Sequence, residues 1–271
     1  MRIDAHYRRG NMNRVWRTVT ALILVLTAGC SAMPAHETAD TIALPQVRSF
    51  SGHPEGDALP PGWQPWILSR FKRPTAYRLV NEQGRTVVRA RAESSASGLI
   101  HPLYLDPHSH PQLHWHWKVD NLIQKADNTQ KHLEDSPVRL VVSFAGDIDK
   151  LDIRDRMFFD NVRLLTGQQM PYATLMYIWE NRAPRETVID NRHTSRIKMI
   201  VAESGRDRLG QWQEVTRNII EDYRRAFGEE PGQITAIGIM TVTDNTGDNV
   251  HAWYGDIEFR KASAPPVIAE K

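Results

Sequence analysis

A single cysteine, Cys30, stands in the 271 residues. One thiol cannot close an internal disulfide, so the fold must be held by a packed core. The short patterns that announce common chemistries are missing as well. There is no G-x-S-x-G nucleophile elbow, no H-E-x-x-H zinc helix, no glycine-rich phosphate loop and no dinucleotide fingerprint. No internal repeat or low-complexity tract occurs. The apolar run Val19 to Ala28 is too short to cross a bilayer as a stable helix. An excess of one charge is also lacking, with 34 basic against 32 acidic residues. Five of the basic residues but only one acidic residue fall in the first 30, so the remainder is slightly acidic. No basic patch is left to argue for nucleic acid as a partner.

What is present begins with an export signal. Arg8, Arg9, Arg14 and Arg17 precede the apolar run, and Leu26-Thr27-Ala28-Gly29-Cys30 closes it. That closing segment resembles the lipobox of bacterial lipoproteins, in which small residues fit the peptidase and the cysteine takes the lipid. Residues 1–30 are therefore expected to be a lipoprotein signal peptide, with lipidation at Cys30. An ordinary secretory signal with a chance cysteine, or an uncut anchor, is the alternative. Ser31 resembles an outer-membrane sorting residue, which gives an envelope protein anchored to the outer membrane and facing the periplasm. Translation from Met1 and from Met12 both remain open. Residues 31–46 read as a tether, 47–260 as a single domain and 261–271 as a loose tail.

The domain reads as all-β. Leu113, Trp115, Trp117 and Val119 alternate with His114, His116 and Lys118, the period of a strand with one face inward. Similar strand signals cover 86–91, 138–144, 173–179, 197–203, 234–242 and 253–259. Two helical insertions are expected. One spans 151–165; the other follows Val215, Ile219, Tyr223 and Phe227 at four-residue spacing, with Gly228 ending it and Pro231 barring continuation. Short strands separated by turns suit an antiparallel β-sandwich of jelly-roll type.

Several blocks carry a family likeness. They include Trp63-Gln64-Pro65-Trp66, Ser69-Arg70-Phe71-Lys72, Ser97-Gly98-Leu99 and Trp115 to Val119. Pro137 to Leu140, Leu175 to Trp179, Val201 to Gly205, Asp222 to Gly228 and Ala252 to Ile257 follow in order. Together they resemble the bacterial domain of unknown function 3047 over roughly residues 48 to 260. The resemblance implies kinship and no particular activity. The fold it implies is similar to galactose-binding-like and carbohydrate-module jelly rolls.

Candidate chemistry is scattered. Flat aromatic faces stack on sugar C–H faces, which makes the tryptophans candidates for glycan contact. Trp115, Trp117 and Trp179, however, share phase with apolar residues and are expected in the core. Tyr254, out of phase with Trp253, Ile257 and Phe259, is expected to be exposed. His114 and His116 have the spacing of strand-borne metal ligands, but no acidic residue follows at a motif distance. A solvated strand face is the better reading of that pair, and no metal site is assigned. His108 and His110, among prolines, read as loop.

Among the carboxylates, Glu203 shares phase with Ile197, Met199 and Val201 and is expected to point inward, where it must pair or protonate. Glu180, with Asn181, follows the strand ending at Trp179. Glu203 and Glu180 are the candidate acid–base pair of a polysaccharide hydrolase or lyase, if they meet across a groove. The loop Thr243 to Asn249 is rich in oxygen donors and, with Asp256, could hold a structural calcium; a plain turn is the simpler reading. The leading expectation is a non-catalytic envelope module binding a glycan or cell-wall ligand through Arg139, Asn181, Asp244, Asn245, Tyr254 and Asp256. The alternatives are that hydrolase, and a protein-interaction part of an envelope assembly.

Overall fold

A computed structural model of the chain describes residues 46–262. The expected signal peptide, Cys30, and nearly all of the expected tether and tail lie outside those residues. In chain order the elements are β1 (Gln64–Trp66), β2 (Ala76–Glu82), β3 (Arg85–Glu93), β4 (Ala96–Leu105), β5 (Gln112–Val119), β6 (Ser136–Phe144), α1 (Ile153–Thr166) and β7 (Ala173–Glu180). They continue with β8 (Val188–Asp190), β9 (Ile197–Ser204), β10 (Gln213–Asn218), α2 (Ile219–Phe227), β11 (Ile234–Val242) and β12 (Asn249–Arg260).

Alternation decides the architecture. On β5, Leu113, Trp115, Trp117 and Val119 are fully buried. Leu140 and Val142 of β6, Leu175, Tyr177 and Trp179 of β7, and Ile237 and Ile239 of β11 belong to the same apolar cluster. The two sets come from two sheets. A seven-stranded sheet has the order β1-β4-β11-β6-β7-β9-β8, and a five-stranded sheet has the order β10-β5-β12-β3-β2. Trp115 and Tyr177 meet between them, with ring centroids 5.0 Å apart. Each buried aromatic removes on the order of 200 Å² from water, worth about 5 kcal/mol before entropy is counted. The protein is thus a mostly-β sandwich with two helices.

Three expectations change in detail. The larger sheet is mixed, because β7 and β9 pair in parallel. The second helix begins at Ile219, and Val215 belongs to β10, which pairs with β5. Asn218 marks the switch: its side chain accepts from the backbone N–H groups of Ile220 and Glu221, which ends the strand and caps the helix. Tyr254 is buried rather than exposed, at 1% accessibility. The phase argument for it fails at a β-bulge: Tyr254 pairs with Trp117, but the next pair is Ile257 with Trp115. The extra residue lets both Tyr254 and Ile257 point inward.

The outer faces of the two sheets differ. That of the larger sheet carries a second apolar cluster with Val141, Met176, Ile178, Met199, Val201 and Met240, against which Trp66, Leu68, Ala183 and Ile197 pack. β6 and β7 are consequently buried along their whole lengths. The outer face of the smaller sheet is polar and open.

Candidate functional site

The residues singled out from the sequence fall mostly on the covered face or its rim. Glu180 is buried and accepts hydrogen bonds from the backbone N–H groups of Asn128, Arg182 and Ala183. Glu203 is buried too, with Arg208 at 3.5 Å and Arg185 at 3.9 Å. A register shift on β9 sets Glu203 opposite Trp179, a residue of the cluster between the sheets, so Glu203 leaves the phase of Met199 and Val201. Each carboxylate is occupied by its own donors, and neither lines the two grooves described below.

Arg139 is 4% exposed and donates to the Glu134 carbonyl at 2.8 Å and to the Asn128 side chain at 3.4 Å. Asn181 donates to the carbonyls of Ile123 and Ala126. Asn245 and Thr246 donate to Asp135, while Asp244 pairs with Lys72 at 2.6 Å. Asp248 accepts instead from the Gln124 N–H, so the oxygens of this loop serve separate partners. Asp256 accepts from the N–H groups of Phe50 and Ser51, fastening the early segment to β12. Tyr254 donates to the Met240 carbonyl at 2.7 Å and meets Thr241 Oγ1 at 2.8 Å. These side chains hold loops and strands together.

The open face of the smaller sheet brings a largely different set into one place, and of the expected site residues only Asp256 is among them. Because Trp115 and Trp117 point inward, His114, His116 and Lys118 must point outward. β10 lies alongside with Thr216 opposite His114 and Glu214 opposite His116, and β12 sets Glu258 beside His114. His114 Nδ1 lies 2.8 Å from Thr216 Oγ1, and its Nε2 lies 3.3 Å from Glu214 Oε1. Burial first, then the nearby charges of Arg260 and His116, hold the His114 imidazole below its ordinary pKa.

The bulge serves the same place. A Cβ on Gly255 would come within 3.1 Å of His116 Cβ, so glycine leaves the room that this histidine occupies. Further along β5, the Lys118 ammonium sits 4.2 Å from the Trp253 ring centroid and 5.5 Å from that of Trp212, and it pairs with Glu82.

His114 and His116 line a groove of about 510 Å³, with Trp212, Glu82, Glu214, Asp256 and Arg260 among its other walls. That volume lies in the range of small-molecule sites, which combine apolar wall with a few convergent polar groups. A second groove of about 610 Å³, near Tyr104 and His110, shares Glu258 but lacks a comparable cluster. The sequence signal for the first groove was the polar half of the β5 alternation. Trp212 was legible as one of the tryptophans open to glycan contact, whereas Glu214 and Thr216 carried no signal, since no strand was expected over 213–218 and 215 onward reads as helix.

Residues 61–258 match the family described as Protein of unknown function (DUF3047). No curated protein matches the chain. Solved structures with some likeness include a β-1,2-glucanase from Parabacteroides distasonis, at 12% identity and TM-score 0.34 over 77% of this chain. This chain spans only 24% of that one. The K1 cleaved adhesin domain of Lys-gingipain from Porphyromonas gingivalis W83 has 9% identity and TM-score 0.35, covering 80% of this chain and 97% of the other. The family 30 carbohydrate-binding module of a Clostridium thermocellum cellulosomal cellulase has 11% identity and TM-score 0.33, covering 83% and 97%.

Proposed function

The chain belongs to the DUF3047 family, and from the open groove of its smaller sheet we propose a ligand-binding module for a glycan or related cell-wall ligand. One observation carries the reading: indole, imidazole, carboxylate and guanidinium groups line one open concavity of about 510 Å³. A sugar offers an apolar C–H face and a ring of hydroxyls, and this groove offers a counterpart to each. Trp212 supplies the flat surface, while Glu82, Glu214, Arg260 and His116 supply acceptors and donors. In this reading the lipid on Cys30 tethers the module to the outer membrane, facing the periplasm.

The test is a panel of cell-wall and polysaccharide fragments titrated calorimetrically into the full chain carrying Cys30→Ser. A fragment that binds should lose at least about tenfold in affinity, about 1.4 kcal/mol, on Trp212→Ala. Silence across the panel, or affinity untouched by Trp212→Ala, removes the groove from consideration as a glycan site. Release of product from a bound fragment would make the protein an enzyme.

A further inference from the structure

We propose that His114, His116 and Glu214 form a binding site for a divalent transition metal of the zinc type. Among the described residues these three form a group whose ligand atoms all lie within 4.8 Å of one another. Two imidazoles and one carboxylate are a donor set that zinc accepts, with a fourth position left for water or another donor.

The distances are close to what such an ion requires. Ligand bonds of about 2.0–2.1 Å at tetrahedral angles put neighbouring donor atoms about 3.3 Å apart. The observed separation of His114 Nε2 and Glu214 Oε1 is 3.3 Å. His116 packs edge-on to His114, with centroids 4.8 Å apart and an interplanar angle of 90°, so it reaches the same point from the side. From separations of at most 4.8 Å, rotation of His116 and of the exposed Glu214 closes the set.

The surroundings orient the first ligand. Thr216 Oγ1 lies 2.8 Å from His114 Nδ1. When Nδ1–H donates to that oxygen, Nε2 is left with its lone pair directed at the site, the role that outer partners play for metal-bound histidines. Gly255 clears the space for His116. Glu214 is 68% exposed at its side chain, so the unfilled side of the triad opens to the groove.

A plain His114–Glu214 hydrogen bond would explain one distance. It would not explain why a second imidazole is set edge-on against the first. This inference does not depend on the ligand proposed above, because the metal is measured with no saccharide present.

The experiment uses the untagged full chain with Cys30→Ser, which removes the one thiol that could compete. After EDTA treatment and exchange, zinc is titrated calorimetrically and bound metal is counted by mass spectrometry. One zinc per chain is expected. The affinity should fall at least about tenfold in His116→Ala and in Glu214→Gln, and roughly 10–100-fold in Thr216→Val. Both His116 and Glu214 are accessible enough for folded variants, which circular dichroism checks. Cobalt in place of zinc should give the visible bands of a four-coordinate site, lost in His116→Ala. Uptake well below one zinc per chain overturns the proposal. So does stoichiometric uptake with the same affinity in folded His116→Ala and Glu214→Gln.

Discussion

Trp115 and Trp117 are fully buried, and the indole N–H of each has no partner among the described residues. A buried donor left unpaired costs about 1–3 kcal/mol. The ring area placed between the sheets outweighs that cost, and the edge-on contact of the two indoles at 5.3 Å adds about 0.5–1.5 kcal/mol. Trp115→Ala should therefore destabilise by about 3–5 kcal/mol in denaturant unfolding, and Trp115→Phe by distinctly less, since it keeps most of the ring and discards the unpaired donor. Tyr254 is the contrasting case. Its hydroxyl is well partnered, so Tyr254→Phe should cost about 1–2 kcal/mol and leave ligand binding in the groove unchanged. A loss of binding without a loss of stability would contradict its buried role.

At the scale of elements, the turn from β10 into α2 is held by a charge cluster. Arg217 donates to both Glu186 and Asp222, Arg225 donates to the same two carboxylates, and the Tyr177 hydroxyl donates to Asp222 at 2.8 Å. Hydrogen bonding from Arg217 first, then from Arg225, lowers the Glu186 pKa from 4.5 to about 2 against the opposing effect of burial. A carboxylate depressed in the folded state contributes stability above its unfolded pKa and loses it as pH falls through the folded one. That contribution should fade between pH 4.5 and about 2. Melting curves of wild type and Glu186→Gln should accordingly differ at pH 6 and converge near pH 2. A constant gap across that range would mean the cluster is not ionic in origin. The cap at the same junction is separable: Asn218→Ala should cost about 1 kcal/mol.

For the whole molecule, the inequality of the two outer faces decides where anything can bind. The larger sheet spends its outer face on Met176, Met199, Val201 and Met240, and the polar groups beside them, such as Arg139 and Glu180, are drawn into local hydrogen bonds. The smaller sheet keeps His116, Glu214, Glu258 and Arg260 accessible. Truncation should separate the faces in denaturant unfolding. Met199→Ala should cost about 2–5 kcal/mol, whereas Glu214→Ala should stay within about 0.5 kcal/mol in the metal-free protein. Equal costs would mean that the open face is packed after all.

The sequence by itself determined seven of the twelve strands among the described residues, and for β5 which face meets the core. The Leu113, Trp115, Trp117, Val119 phase requires no knowledge of neighbours, because burial on one side imposes a period of two wherever the strand sits. The stop at Gly228, with φ of 71° in the left-handed region, was legible for the same local reason. The order of the family's blocks was legible as well. What only the tertiary structure decided is adjacency. A period of two states that His114 and His116 face outward; it cannot state that β10 lies beside them, because that pairing joins residues 102 positions apart. The same limit hid the separate partners of Glu180 and Glu203. It also hid the inward turn of Tyr254, since a bulge is set by pairing with the neighbouring strand rather than by the bulged strand's own pattern.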